Sequence, residues 1–412
     1  MEPLYKDTGT LKRMREGPLG AYVDAFAEKM IDRGYARASV RYSLQLVADL
    51  GRWLSRRRIM VPQVTAEHLV SYLKHRSRQG HFRSGDEAIS QRLLGLLIEQ
   101  GIVAQEPPRE LTPAEQMEAE FRHYLEHERR LAPATVFYYL EFVRRFLAHI
   151  SRSNGEVRLD LLGAADVLAY VRQEAARLHH AKRAKMMTTA IRSFLQYARY
   201  RDLIKTDLRT SVPTVANWSM SSLPKALSSD ELQRLLSDRE QETAVGRRNW
   251  AILLLLARLG LRAGEVVGLT LDDLDWAAGE ISIRGAGTPT DRLPIPEEVG
   301  EALVDYLCHV RPTCASRRVF VRIRAPHRGF VNSAAISTIV QRALAHAGLD
   351  PANKGAHLLR HTVATQMLRQ GASLAEIGEL LRHRNQQTMM IYAKVDLDLL
   401  RPLALPWPGG AP

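Results

Sequence analysis

Apolar residues recur every three to four positions through most of the N-terminal half of the chain, a spacing typical of amphipathic helices. Two such faces consist of Tyr22, Phe26, Met30 and Ile31, and then of Val40, Leu44, Val47, Leu50 and Trp53. A further helix is predicted around residues 93–98. The pattern therefore predicts a helical module over residues 1–105, bounded by a short Pro-rich linker at residues 105–113.

The order of helix caps and apolar positions then repeats. Residues 35–42 align with residues 131–138 at an offset of 96, and residues 69–72 align with residues 167–170 at an offset of 98. The few identities are compatible with chance, but the shared order favours a duplication. We therefore predict a second helical domain over residues 113–210.

The pattern changes after a polar segment that contains Pro213 and Pro224. Residues 250–259 are almost wholly apolar and predict a buried helix, whereas residues 280–284 and 292–295 predict two strands joined by a Gly-rich turn. The expected fold is mostly α, with a mixed α+β domain over residues 223–412.

Composition narrows the choice of partner. Lys and Arg number 58 against 45 Asp and Glu, which gives a formal net charge of +13 and favours a polyanion. The two cysteines, Cys308 and Cys314, provide neither a disulfide framework nor a zinc-binding pair of motifs. No apolar run is long enough for a bilayer, and the N-terminus lacks a signal-peptide pattern, so we expect a cytoplasmic protein.

The most informative chemistry lies near the C-terminus. His357, Arg360 and His361 share one face of a helix predicted to end at Gly371. The sequence Ser-Leu-Ala-Glu at residues 373–376 is a capping box, which predicts a second helix that ends near His383. Taken alone, the basic face is equally compatible with a solvated surface or a core histidine.

The spacing of these residues indicates a functional role rather than a solvated surface or a core histidine. His-x-x-Arg-His, followed by His383 and by Tyr392 nine residues later, resembles the C-terminal motifs of the tyrosine recombinase (phage integrase) family. The second arginine expected from that resemblance is Arg262, within Gly-Leu-Arg-Ala-Gly-Glu at residues 260–265. The N-terminal half resembles the family only loosely.

The resemblance implies roles for these residues. Tyr392 would attack a DNA phosphate and form a 3′-phosphotyrosyl bond, while Arg262 and Arg360 hold the non-bridging oxygens. His357 would be the base, and His383 would donate a hydrogen bond to the phosphate. Glu265 would support Arg262, and His361 would be structural, because its position on the helix points it elsewhere. The arginines take the place of a metal ion, so no metal is expected, and without a Walker loop no nucleotide cofactor is expected.

One position departs from the family. The hairpin turn reads Arg-Gly-Ala-Gly-Thr at residues 284–288, with Ala286 where the family has the lysine that protonates the leaving 5′-oxygen. No lysine occurs between Lys225 and Lys354. The chain is thus an inactivated variant, uses another acid, or binds DNA without cutting it efficiently.

The second helical domain resembles the family's SAM-like core-binding domain. Expected DNA contacts, with a solvated face as the alternative, are Arg144, Arg145, Lys182, Arg183 and Lys185, and Arg284 and Arg292 in the hairpin. The apolar tail after Tyr392 either folds back or packs on a neighbour in a homotetramer.

The expected function is site-specific recombination of double-stranded DNA for a mobile element, by a protein associated with the nucleoid when bound to DNA. The alternatives are a catalytically impaired DNA-binding relative and a type IB topoisomerase-like enzyme.

Overall fold

The computed structural model describes residues 14–105, 111–151, 157–215, 225–237, 242–284, 290–382 and 391–392. The chain divides into two compact units. One unit combines residues 1–105 with residues 222–412, and the other comprises residues 106–221.

Four helices form the N-terminal module of the first unit: α1 (Val23–Asp32), α2 (Arg37–Arg56), α3 (Ala66–Arg78) and α4 (Asp86–Glu99). Their apolar faces enclose one core, in which Val23, Leu44 and Leu50 are fully buried. Thr65 caps α3, since its hydroxyl accepts the backbone N–H of His68 at 3.4 Å. The second predicted face is thus a buried helix face, whereas in the first Tyr22 precedes α1 and Ile31 is exposed. α4 begins earlier than the predicted residues 93–98.

The second unit is also helical: α5 (Pro113–His123), α6 (Pro133–Ile150), α7 (Ala164–Arg177) and α8 (Ala181–Tyr200). Its core is rich in aromatic side chains, and Phe121, Phe146 and Phe194 are fully buried. Phe121 and Phe194 meet edge to face, with ring centroids 5.3 Å apart.

The C-terminal part of the first unit combines helices with a small sheet. Its helices are α9 (Ser229–Ser237), α10 (Ala244–Arg258), α11 (Ala263–Gly268), α12 (Glu297–His309), α13 (Ala334–His346), α14 (Ala356–Arg369) and α15 (Leu374–Leu380). The sheet is antiparallel in the order β1 (Leu274–Asp275), β2 (Glu280–Arg284) and β3 (Thr290–Pro294), with Ile281 opposite Leu293. The predicted fold class, mostly α with a small β-hairpin, is confirmed.

Two helix bounds differ from the sequence-based predictions for physical reasons. α10 begins at Ala244 rather than at Trp250, because Thr243 caps it by accepting the N–H of Gly246 at 3.0 Å. α15 ends at Leu380 rather than near His383, since Arg382 adopts a left-handed backbone with φ of 52°. Within the described ranges, no helix is long and apolar enough to cross a membrane.

Candidate active site

Arg360 lies at the centre of the predicted site and is almost completely buried on α14. Its guanidinium donates to two backbone carbonyls, from Nη1 to Gly260 at 2.5 Å and from Nη2 to Leu381. Burial, and then the neighbouring Arg262, lowers the pKa of Arg360 to about 10. The side chain therefore stays protonated at neutral pH and connects the loop after α10 to the end of α15.

Gly260 forms the turn that positions Arg262. Its φ is 57°, a left-handed conformation that glycine adopts without strain. A Cβ at this position would lie 2.6 Å from Cδ2 of Leu381, so the close approach of the two loops also requires glycine.

The buried carboxylate of Glu265 collects three hydrogen bonds. Its Oε2 accepts the backbone N–H of Arg262 at 2.7 Å and Nη2 of Arg382 at 2.9 Å, while Oε1 accepts Nη1 of Arg262 at 2.7 Å. Burial opposes the charge, but the Arg262 N–H and the two guanidiniums outweigh it and lower the pKa of Glu265 below its ordinary value. Glu265 thus remains ionised and fixes two arginines.

Arg382 is a member of this cluster that the sequence patterns did not single out. Its side chain is only 8% exposed, and its Nη1 donates to the carbonyl of Leu380 at 2.9 Å. Its own carbonyl accepts Nη2 of Arg262 at 3.1 Å. The available signal was its position beside His383, but periodicity cannot show that a left-handed residue turns its guanidinium inward.

Tyr392 is fully buried and packs against Val363, Ala364, Ile377 and Leu381. Its hydroxyl oxygen lies 2.8 Å from Nδ1 of His361. Burial raises the pKa of Tyr392 to about 12, against the opposing effect of Arg360. Burial also lowers the pKa of His361, as do His357 and Arg360, so its imidazole is neutral near pH 7 and can accept a hydrogen bond.

Comparison with known proteins shows the family of this chain. Residues 225–398 match the phage integrase family, and residues 119–202 match the phage integrase N-terminal SAM-like domain. A putative integrase/recombinase, y4rA of Sinorhizobium fredii (strain NBRC 101917 / NGR234), is 46% identical across 97% of this chain and 97% of its own length. The chain belongs to the phage integrase family of tyrosine recombinases.

Other comparisons agree with this family assignment. Tyrosine recombinase XerD of Mycobacterium tuberculosis (strain CDC 1551 / Oshkosh) is 30% identical over 70% of this chain and 96% of its own length. The site-specific recombinase XerH, in a post-cleavage complex with its palindromic difH substrate, shares the fold. Its TM-score is 0.55 at 18% identity, covering 77% of this chain and 89% of that chain. Tyrosine recombinases are DNA strand-exchange enzymes, and the chain is a member of that class.

The predicted direction of His361 in this recombinase is wrong. Residues 391–392 bring the Tyr392 hydroxyl to the face of α14 on which His361 lies, which the helix alone could not reveal. The His357 ring stands beside it, with its centroid 6.3 Å from that of His361. The role of His357 as the base stays a prediction.

All five arginines predicted to contact DNA face carboxylates within the recombinase. The pairs, with their shortest N···O distances, are Arg144–Glu118 at 2.6 Å, Arg145–Glu174 at 2.7 Å, Arg183–Glu141 at 3.0 Å, Arg284–Asp273 at 2.7 Å and Arg292–Glu280 at 3.5 Å. Lys182 and Lys185 are exposed on the first turns of α8. All seven assignments stay predictions.

Three predicted features lie outside the described residues: Ala286 in the hairpin turn, His383, and the apolar tail after Tyr392. Within the described ranges, no group of three or more His, Cys, Asp or Glu side chains could hold a metal ion. The candidate site is therefore Arg262, Glu265, His357, Arg360, His361, Arg382 and Tyr392.

Proposed function

We propose that this recombinase cleaves and rejoins double-stranded DNA at a specific site through a 3′-phosphotyrosyl bond to Tyr392, and that it thereby integrates or excises a mobile element. The observation that carries this proposal is the arginine cluster described above, adjacent to the Tyr392–His361 pair. The designation of y4rA as an integrase/recombinase supports the same role.

The charge of the cluster suits a phosphodiester. Three guanidiniums, of Arg262, Arg360 and Arg382, surround Glu265, the carboxylate that accepts hydrogen bonds from two of them. Positive charge is therefore in excess at a site with little solvent, where electrostatic interactions are strong. Arg262 has a side chain that is 40% exposed, so its guanidinium can reach a bound phosphate. Such preorganised donors stabilise the charge that develops on the non-bridging oxygens.

The proton of the nucleophile has an acceptor in place. As the Tyr392 oxygen forms its bond to phosphorus, its proton passes to the neutral His361 Nδ1, which we propose as the base in place of His357, and the bond from phosphorus to the 5′-oxygen breaks. The leaving oxygen takes a proton from an acid, and the reverse attack by a 5′-hydroxyl rejoins the strand. Because Tyr392 is buried, DNA binding must first bring its hydroxyl to the surface.

The stoichiometry of strand exchange supports a homotetramer. Two duplexes contain four strands, and each cleaved strand occupies one tyrosine nucleophile. A chain that contributes Tyr392 alone to this chemistry completes the exchange only as four copies on two DNA sites. We further propose that residues 1–105, 113–210 and 223–412 act as separate domains in that assembly.

The experiment uses duplexes from candidate element ends, located by footprinting, with sulfur replacing the 5′-bridging oxygen at the cleavage site. A thiolate leaves without protonation, so attack by the nucleophile can be detected even if the general acid is missing. The wild-type chain should form a denaturation-resistant adduct, and Tyr392→Phe should bind the same DNA without forming it. An adduct that persists in Tyr392→Phe refutes the assignment.

The alanine at position 286 favours a second candidate, a relative that assembles on DNA but cleaves it poorly. In that case ordinary DNA is cut far more slowly than the sulfur substrate, by about 10²–10⁴-fold, the usual contribution of a general acid. Equal rates on the two substrates would exclude this candidate. Relaxation of supercoiled DNA without recombinant products would instead indicate a topoisomerase-like enzyme.

A further inference from the structure

The N-terminal module repeats the internal contacts of the second unit, helix by helix. Tyr72 on α3 donates its hydroxyl to the carbonyl of Leu46 on α2 at 3.3 Å, and Tyr170 on α7 donates to Phe142 on α6 at 3.1 Å. The tyrosines are 98 positions apart and the acceptors 96, the same two offsets as in the aligned sequences. The module is thus a structural copy of the unit that contains the SAM-like domain.

A second pair of contacts repeats with its charges exchanged. Arg76 Nη1 on α3 lies 3.2 Å from an oxygen of Asp49 on α2, whereas Glu174 on α7 lies 2.7 Å from Nη1 of Arg145 on α6. Asp49 corresponds to Arg145 and Arg76 to Glu174 by the same offsets. The ion pair was retained while the signs at its two positions were reversed.

The copies differ most in their exposed charges. The residues of the second unit that are predicted to contact DNA are Arg144, Arg145, Lys182, Arg183 and Lys185, and by offsets of 96 for α2 and 98 for the start of α4 their counterparts are Ala48, Asp49, Ser84, Gly85 and Glu87. None of these counterparts is basic. The N-terminal module therefore cannot use the equivalent residues to bind a polyanion.

One concentration of its positive charge lies along α2. Arg41, Arg52 and Arg56 are exposed and fall within one narrow stripe of this helix, since they are spaced by eleven and then four positions. At 1.5 Å per residue the stripe is about 22 Å long. The guanidinium of Arg83 lies 4.5 Å from the ring centroid of Tyr42, beside the start of the stripe. We refer to Arg41, Arg52, Arg56 and Arg83 as the arginine face.

Two of the three counterparts of the stripe in the second unit are not basic, whereas Arg56 corresponds to Arg152. Phe137 corresponds to Arg41, and Ala148 corresponds to Arg52. Within the stripe itself the one acid, Asp49, is engaged by both Arg52 and Arg76. The stripe thus contains three arginines and this one acid, and the planar donors of a guanidinium match phosphate oxygens in pairs.

We propose that the N-terminal module binds the backbone of duplex DNA through the arginine face, as a contact separate from that of the second unit. The proposal takes its ligand from the proposed function but does not depend on cleavage. A straight row of arginines about 22 Å long fits the regular phosphates of a duplex, and it contacts them without reading base sequence.

The test uses the full chain with Arg41, Arg52 and Arg56 all changed to glutamine. The matched control changes Arg33, Lys74 and Arg78 to glutamine, because these three residues are also exposed in the same module but lie off the stripe. Binding to a fluorescent random-sequence duplex is measured across a salt series. Since each lost phosphate contact removes about 0.9 from the log–log salt slope, the arginine-face variant should lose about 2.7 and bind about tenfold or more weakly at low salt.

The control should keep the wild-type slope, and both variants should keep the wild-type melting temperature because all six positions are exposed. An unchanged salt slope in the arginine-face variant would overturn the proposal. An acidic protein would then be the candidate ligand of the arginine face. Equal losses in both variants would overturn it as well, since net charge alone would then account for binding. If the wild-type chain binds no DNA, the proposed function fails too; binding without a covalent adduct defeats only the cleavage chemistry.

Discussion

Glu265 is a single carboxylate that holds two arginines of the site. It holds the backbone and the guanidinium of Arg262 and also the buried guanidinium of Arg382. Removing its charge would leave Arg382 buried beside Arg262 and Arg360 without a counterion. Orientation of the arginines proposed to bind phosphate and stability of the C-terminal half therefore depend on the same side chain.

Glu265→Gln should destabilise the chain by roughly 1–3 kcal/mol at pH 7, the usual cost of leaving a buried charged donor poorly satisfied. Because the folded-state pKa of Glu265 lies below its ordinary value, its contribution is present above that value and is lost as the pH falls through the folded pKa. Thermal melting from pH 7 to pH 3 should therefore show a difference between wild type and variant that shrinks in acid. A difference that stays constant with pH would contradict the role of the charge.

The same residues show what a sequence can predict at this scale. Arg262, Arg360 and Tyr392 each lie in a motif of characteristic residue types and short spacing, so motif reasoning could propose them, and their roles stay predictions. The contacts of His361 and Arg382 depend on where two distant loops pack, and no local pattern encodes that packing. Their positions became apparent only from the folded arrangement.

The short helix α15 positions the two residues after its C-terminal end that complete the site. Its capping box is formed, with Ser373 Oγ accepting the Glu376 N–H at 3.2 Å and Glu376 Oε2 accepting the Ser373 N–H at 2.7 Å. The carbonyls of Leu381 and Arg382, just beyond the helix, accept the guanidiniums of Arg360 and Arg262. The cap lies at one end of this seven-residue helix, and the carbonyls that hold the two arginines lie just beyond the other.

Ser373→Ala should cost about 1 kcal/mol of stability, a typical loss for an N-cap, and should slow adduct formation at saturating DNA. Thr112→Ala is the matched control, because Thr112 and Glu115 form the same box at the start of α5 in the other unit. The control should lose similar stability and keep the adduct rate. Equal rates in the two variants would separate α15 from the chemistry.

Helix starts were predictable where a side chain caps its own helix, as at Ser373 and at Ser228, whose hydroxyl accepts the Glu231 N–H at 3.1 Å. Strand β1 was not predictable, since two residues carry no periodicity and pair with β2 only in the folded chain. Hydrogen bonds between residues three or four positions apart can be predicted from the local sequence. Pairings across longer loops cannot.

At the scale of the whole molecule, the proposed tetramer should depend on the apolar tail. Ending the chain after Leu397 removes Leu399, Leu400, Leu403, Leu405 and Trp407. We expect the truncated chain to bind a single DNA site as tightly as wild type but to lose complexes that contain two duplexes. Native gels with two differently sized duplexes distinguish these species, and undiminished two-duplex complexes would show that the tail is dispensable for assembly.

The exchanged ion pair has a consequence for any chain assembled from parts of the two copies. A fusion between α2 and α7 would set Asp49 against Glu174, and a fusion between α6 and α3 would set Arg145 against Arg76. Because both products place like charges together around a side chain that is nearly buried, they would fold poorly. The helices of the two copies are therefore not interchangeable.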